Sequence, residues 1–404
     1  MQHLLFLPHR IPYPPNKGDK IRSYHVLKHL AQRYHVHLGT FIDDPNDWQH
    51  VDNVKALCRE THFCTLNPLL AKLGSLKALA SNQALTLEYY RKQEMHQWVA
   101  KVVEQYGIRR VLVFSSAMAQ YATGLRHARR IIDFVDIDSD KWHQYAAKKA
   151  LPMSWLYQRE SRLLLEYERL IAREFDASLF VSQAEAELFT QLAPESSDKT
   201  GYFSNGVDTD YFSPEREYAN PYPVNESVIV FTGAMDYWPN VDAADWFAHV
   251  IFPAVREQNP QARFYIVGSR PTPKVQALAS LAGVWVSGSV PDIRPYIAHA
   301  KIAVAPLQIA RGIQNKVLEA MAMAKPVVVT PQALEGIHAE PGRELWLAEN
   351  AAQFIAAVST LIAQSQDSMG RNARQKVLKN YSWSGNLAQI DALFDVASAS
   401  EETS

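Results

Sequence analysis

Two cysteines among 404 residues, Cys58 and Cys64, are too few for a disulfide framework. Neither sits in a C-x-x-C motif, which excludes ribbon-type zinc sites and dithiol redox chemistry and leaves two plain thiols of a reducing compartment. Long apolar runs are also missing. No window approaches the roughly 18 consecutive apolar residues of a membrane-spanning helix. The opening MQHLLFLPHR has no basic leader, so a signal peptide is not expected. The expectation is a cytoplasmic protein, with a position on the inner face of the cell membrane still open. Charge is balanced at 41 basic and 42 acidic residues, a formal net charge of -1, so no global attraction to nucleic acid exists. Neither half carries a G-x-G-x-x-G fingerprint, which argues against an NAD enzyme, and no tandem repeat is present.

What is there is ordinary globular composition, 47% hydrophobic and 21% charged. At roughly 100–200 residues per domain, the length suggests two domains, each with its own core. Short apolar runs alternate with amphipathic segments, the pattern of parallel sheets covered by helices on both faces. Strands are expected at His3–Leu7, His35–Phe41, Arg110–Phe114, Arg130–Phe134 and Ala177–Val181. A second set is expected at Ser227–Thr232, Ala262–Val267, Val284–Ser287, Lys301–Ala305 and Pro326–Thr330. Helices are expected at Ser23–Gln32, Trp155–Phe175, Asp242–Gln258 and Val317–Ala324. The fold class is therefore α/β, two doubly wound, Rossmann-like domains, at 1–210 and 225–380. The polar, proline-rich stretch at 204–227 reads as their connection. A C-terminal helix at about 384–398, with a stripe of Leu387, Ile390, Leu393 and Phe394, is expected to pack back on the first domain. The tail SASEETS is expected to be disordered.

Ligands of open α/β sheets bind at the carboxyl ends of strands and at helix N-termini, and two such domains suggest a cleft between them. After the first strand comes PHRIPYPPNKGDKIRSYHVL, a proline-held loop in which Gly18 permits close backbone approach and Lys20 and Arg22 supply charge. It suits an anionic ligand or, more blandly, a solvated basic loop. In DFVDIDSDKWHQY, Asp133, Asp136, Asp138 and Asp140 crowd the end of a strand. Paired carboxylates can do acid/base work, although Asp138 or Ser139 serves equally as a helix cap. In the second half Gly233 directly follows a strand, and Asp242 and Asp245 suit the dipole of the next helix.

The stretch GIQNKVLEAMAMAKPVVV poses a sharper question. Glu319 is the only polar residue between Val317 and Ala324. Lys316 lies three positions earlier, on the same helical face. An unpaired carboxylate within a buried helix is costly, so Glu319 faces either solvent or hydrogen-bond donors. A ribose diol offers two such donors, and Lys316 suits a diphosphate. An intrahelical Lys–Glu pair on a wet surface is the plain alternative.

These residues resemble a known family. VSGSVPDIRPYIAHAKIAVAPL followed by GIQNKVLEAMAMAKPVVVT resembles the nucleotide-sugar domain of group 1 glycosyltransferases, family 4, of GT-B fold. SNGVDTDYFSP is similar to the interdomain segment of that family, and RIPYPPNKGDKIRSYHVLKHLA to its acceptor-side loop. The subgroup it looks most like assembles exopolysaccharide and cell-surface sugars. The resemblance implies a retaining, metal-independent transfer, without cofactor, from a UDP- or GDP-sugar to the hydroxyl of a sugar or lipid-linked acceptor. Glu319 matches the second glutamate of the family's Glu-x7-Glu pattern, which holds the ribose. Gly233 matches the glycine near the donor phosphates, and Gly18, with Lys20 and Arg22, the acceptor-side loop. Val290, Arg311, Asn315 and Lys316 complete the expected donor site, and Asp136, Asp138 and Lys316 the catalytic group, with no metal.

Two departures stand out. Arg311 occupies the place of the first glutamate, and GAMDYWPN lacks the Arg and Lys usual after the glycine. Lys316 and Arg311 are expected to supply that charge instead. The family's acceptor-side histidine has no plain match; His143 is the nearest. A nucleotide-sugar epimerase and a non-catalytic nucleotide-binding scaffold are the alternatives. Separately, NPLLAKLGSLKALASNQALTLEYYRKQ mixes leucines with Lys72, Lys77, Arg91 and Lys92, which suits either a packed helix or a segment lying on anionic lipid.

Overall fold

The computed structural model describes residues 1–15, 18–147, 149–310, 313–364 and 367–395. Its chain forms two compact units, Met1–Ser204 with Leu387–Ser404, and Asn205–Asn386. The expected disordered tail lies outside the described residues.

The first unit is built on seven parallel strands: β1 Gln2–Pro8, β2 Tyr34–Ile42, β3 Glu60–Thr65, β4 Arg110–Phe114, β5 Arg129–Val135, β6 Ala177–Phe180 and β7 Thr200–Tyr202. Their order is β3-β2-β1-β4-β5-β6-β7. Parallel central strands are covered on both faces, so they need near-continuous apolar runs. Leu4, Leu5, Phe6 and Leu7 of β1 are all wholly buried. The chain order reverses between β1 and β4, which makes their carboxyl ends the topological switch point.

Among the buried ionisable side chains that hold this unit together four stand out, and two of them correct the sequence reading. Arg22 is fully buried rather than solvated. Its guanidinium grips Asp133 of β5 through Nε at 2.7 Å and Nη2 at 3.1 Å. Nη1 also donates to the Phe203 carbonyl, 2.9 Å away. Lys20 is buried against Asp47 at 2.6 Å. Both cations are paired inside the unit instead of standing in a solvated loop. The other two are Glu160 and Glu168, wholly buried on one face of the helix Met153–Glu174. Glu160 accepts from the Leu85 and Thr86 amides, opening the helix Leu85–Tyr89. Glu168 accepts from the Ser139 amide and hydroxyl, at 3.2 and 2.5 Å, in the first turn of the helix Asp138–Ala147. Each satisfies orphan N–H groups that a helix start leaves open. Burial pushes the Glu168 carboxyl up to about 8.

The last helix, Trp383–Asp395, enters this unit from Leu387 onward. There Asp391 pairs with His29 at 3.0 Å and Arg33 at 3.1 Å, and the Phe394 ring meets Tyr34. Leu387, Ile390 and Phe394 are buried.

The second unit has six parallel strands: β8 Ser227–Thr232, β9 Ala262–Val267, β10 Val284–Gly288, β11 Ile302–Ala305, β12 Val327–Val329 and β13 Trp346–Leu347. They run in the order β10-β9-β8-β11-β12-β13, with the switch point between β8 and β11. The stretch read as a connection packs on this unit instead of running free. Tyr222 is buried and donates to the Tyr296 carbonyl at 2.7 Å, while Arg374 donates to the Phe212 carbonyl at 3.2 Å. The expected helix over 242–258 begins earlier, at Trp238, and is interrupted by a π-helical turn, Phe247–Ile251, just before Pro253.

Candidate functional site

In the second unit the loops leaving β8 and β9 touch backbone to backbone. A Cβ on Gly268 would lie 1.7 Å from the Gly233 carbonyl oxygen, so only glycine fits there. A Cβ on Gly233 would come within 2.8 Å of the Asn240 amide nitrogen. Asn240 is buried in the helix Trp238–Trp246 and donates to the Ala234 carbonyl at 2.9 Å, which pins the loop after Gly233. Its amide oxygen accepts from Lys316 Nζ at 2.7 Å. Lys316 stands at the second position of the helix Asn315–Ala322, which follows β11, and so reaches across the switch point to the end of β8. Asn315 opens that helix, and its Oδ1 is buried with no partner among the described residues.

Glu319 follows one turn after Lys316. Val317, Leu318, Ala320, Met321 and Ala322 are buried around it, whereas Lys316 and Glu319 are each only partly exposed. Among the described residues no donor is hydrogen-bonded to the Glu319 carboxylate. Burial pushes Glu319 up to about 7, against the pull of Lys316. Burial likewise draws Lys316 down to about 8, against the pull of Glu319. The fold by itself therefore disfavours both charges, although the two stand side by side. Groups held at such cost are candidates for binding or chemistry.

Sequence reasoning missed two members of this site. Asn240 gave no signal beyond following the Gly233 loop. Arg270 leaves β9 in the run VGSR and meets Asp236 of the β8 loop at 3.0 Å. A cation directly after a strand–glycine junction was the available signal, and it supplies positive charge that GAMDYWPN lacks. Arg311 lies outside the described residues. Val290 packs against the core in the loop after the edge strand β10. Asp242 and Asp245 are not in a first turn, because the helix starts at Trp238; Asp245 pairs with Lys274 at 2.9 Å.

The first unit gathers a second polar group where β1, β4 and β5 end. Asp138 accepts from the buried Ser116 hydroxyl at 2.9 Å. Lys141 bridges Asp136 at 2.9 Å and Asp138 at 3.4 Å. Burial opposes the Lys141 charge, but the two carboxylates outweigh it and hold the ammonium well above its usual range. Ser115, directly after β4, and Val135, the last residue of β5, have φ of 77° and 71°. A β-branched residue in that left-handed region is strained, and such strain concentrates at functional positions. It turns Asp136 out of the strand. His143 is exposed and makes no bond to either carboxylate. His9, missed in the sequence, sits at the end of β1, stacked on Phe114 and 3.6 Å from Asp19.

Gly18 opens its helix with nothing within 4 Å of where a Cβ would stand. The anion in that first turn is the protein's own: Asp19 accepts from Arg10 at 3.1 Å. Burial alone would raise this carboxyl, but His9 and Arg10 more than offset it and depress its pKa strongly. Among the described residues one group has metal-ligand spacing, His62, Cys64 and Glu94, with ligand atoms within 4.8 Å of one another. It lies on and beside the edge strand β3, where burial pushes the Cys64 thiol far up and keeps it protonated.

The chain as a whole is similar to known proteins. The family model described as "Glycosyl transferases group 1" matches residues 226–364. No curated protein matches the chain in sequence. Among solved structures, sucrose-phosphate synthase from Thermosynechococcus elongatus superposes with a TM-score of 0.68 at 17% identity, over 99% of this chain and 100% of that one. A glycosyltransferase from Rickettsia africae gives 0.66 at 15%, covering 98% of each chain. Anabaena HepE in complex with UDP gives 0.64 at 16%, over 98% of this chain and 100% of that one. At these identities the structures establish the fold, two parallel α/β units of GT-B type. Residues 226–364, the stretch that matches the group 1 glycosyltransferase model, hold Gly233, Asn240, Lys316 and Glu319.

Proposed function

We propose that this protein moves a sugar from a nucleoside diphosphate sugar to an acceptor hydroxyl. The observation that carries the reading is the pair Lys316 and Glu319 at the β8/β11 switch point, two charges the fold disfavours with no ligand present. A ribose diol donating to Glu319 and a diphosphate accepting from Lys316 would repair both. In the transfer, the bond from the sugar's anomeric carbon to the diphosphate breaks and a bond to the acceptor oxygen forms. The leaving diphosphate gains negative charge, which Lys316 and Arg270 stabilise. The acceptor hydroxyl passes its proton to a carboxylate, a role assigned to Asp136 and Asp138, which are held by Lys141 and Ser116. Gly18, which no internal contact requires to be glycine, is assigned close approach of the acceptor.

The finer reading is a retaining transfer that needs no metal, works in polysaccharide or glycolipid assembly and takes place at the cytoplasmic face of the membrane. UDP is the first donor nucleotide to test, because Anabaena HepE was solved with UDP and with UDP-glucose; GDP is the second. A ligand at about 100 times its Kd adds roughly 2.7 kcal/mol of stability, so thermal shift against UDP, GDP, ADP and dTDP identifies the base. Donor turnover that persists in EDTA and yields a glycoside with the anomeric configuration of the donor confirms the reading. A new sugar nucleotide from donor alone would mark an epimerase. Binding without turnover on any acceptor would mark a scaffold. No shift with any nucleotide overturns the proposal.

A further inference from the structure

Five leucines in one short stretch of the first unit stand in solvent. Leu69, Leu70 and Leu73 are 74%, 67% and 67% exposed, and Leu76 and Leu79 follow at 49% and 41%. The stretch is not frayed: Asn67 caps the helix Pro68–Ser75 by accepting from the Leu69 and Leu70 amides at 3.0 and 3.2 Å. Leu69 and Leu73 on that helix, and Leu76 where it passes into the 3-10 turn Leu76–Leu79, fall at i, i+4 and i+7, a single stripe turned outward instead of inward. A neighbouring element shows the same inversion. At the start of the helix Met153–Glu174, Leu151 is 78% and Trp155 57% exposed. Arg159, one turn after Trp155, joins the two segments by donating to the Ala78 carbonyl at 2.8 Å and the Gln83 carbonyl at 3.2 Å. Exposed apolar groups clustered this way mark an interaction surface.

The charges around it select the partner. Residues 68–87 and 149–159 contain no aspartate or glutamate, yet they hold Lys72, Lys77, Lys149 and Arg159; of these Lys77 pairs with the adjoining Glu88 at 2.6 Å. A rigid helix with an outward leucine stripe, a neighbouring tryptophan and only cations for charge has the chemistry of an interfacial segment. We propose that this surface docks on an anionic lipid bilayer, with the leucines and Trp155 entering the headgroup boundary and the exposed Lys72 and Lys149 meeting lipid phosphates. The proposal does not depend on the donor site, whose residues belong to the other unit.

Flotation of the full chain with vesicles tests it. Binding is expected to vesicles of phosphatidylcholine with about one third phosphatidylglycerol, to weaken several-fold when salt rises toward 0.5 M, and to be much weaker on pure phosphatidylcholine. Leu69→Ser, Leu73→Ser and Leu76→Ser together should reduce the vesicle-bound fraction on the order of tenfold. The melting temperature and the thermal shift with nucleotide should stay at wild-type values, because these side chains touch no core. No flotation of the wild type at low salt overturns the proposal, as does full retention of binding in the triple variant. Self-association that the triple variant abolishes, without any vesicle binding, would also overturn it and assign the face to contact between copies.

Discussion

Glu319→Gln separates the demands of folding from those of the ligand. With its carboxyl near 7 in the folded chain and near 4.3 when unfolded, the native state holds the extra proton across that interval. Stability therefore falls as pH rises from about 4.3 to about 7 and stays reduced above it. At about 1.4 kcal/mol per pH unit, keeping Glu319 ionised costs the unliganded protein on the order of 3 kcal/mol at pH 8. The amide carries no such cost, so Glu319→Gln should melt several degrees later than wild type at pH 8 and no later at pH 4. Nucleotide affinity should move the other way. Hydrogen bonds to a charged group contribute roughly 1.5–3 kcal/mol, so UDP should bind on the order of ten- to a hundredfold more weakly. In the wild type, affinity should fall about tenfold per pH unit below 7, and the variant should lose that acid limb. Uridine, which carries no titrating phosphate, isolates the limb belonging to Glu319. Scanning calorimetry between pH 4 and 9 and titration calorimetry with UDP and uridine measure both effects. A variant that melts earlier than wild type at pH 8 and binds UDP equally well would refute the reasoning and make Glu319 a structural residue.

Lys316→Met should weaken UDP binding and depress turnover while leaving uridine affinity intact, and the loss of wild-type UDP affinity above about pH 8, where Lys316 gives up its proton, should vanish. Arg22→Met strands Asp133 in the core, so chemical denaturation should show a loss of roughly 3–5 kcal/mol, partly recovered by adding Asp133→Leu. Glu168, held near 8, should make stability decline from about pH 4.3 to pH 8; Glu168→Gln should flatten that slope, and Glu168→Ala should cost about 1–3 kcal/mol by orphaning the Ser139 donors. Gly268→Ala should lower the melting temperature and abolish the nucleotide shift, whereas Gly18→Ala should melt like wild type and lose only kcat/KM for the acceptor.

The central strands were legible because a parallel strand buried on both faces must be apolar along its length, and β1, β4, β8 and β9 meet that demand within a few residues of sequence. The doubly wound architecture follows from their alternation with helices, and Glu319 stood out because a single carboxylate interrupts a buried helix. Other features left no such trace. The strands β3, β7 and β13 were not expected; all three lie at sheet edges, where one covered face and one hydrogen-bonded neighbour place little demand on composition. Arg22, read as a solvated or ligand-binding cation, closes a buried pair with a partner 111 positions away. Asn240 meets Lys316 across 76 positions. Glu160 and Glu168 look in sequence like any exposed helical glutamates, and only the convergence of two helix starts on one face of their helix makes them caps. Periodicity reports how each segment divides between core and water, a local property of the chain. The partner that neutralises a buried charge is chosen by which distant segments the sheet order brings together, and that is decided only when the chain is folded.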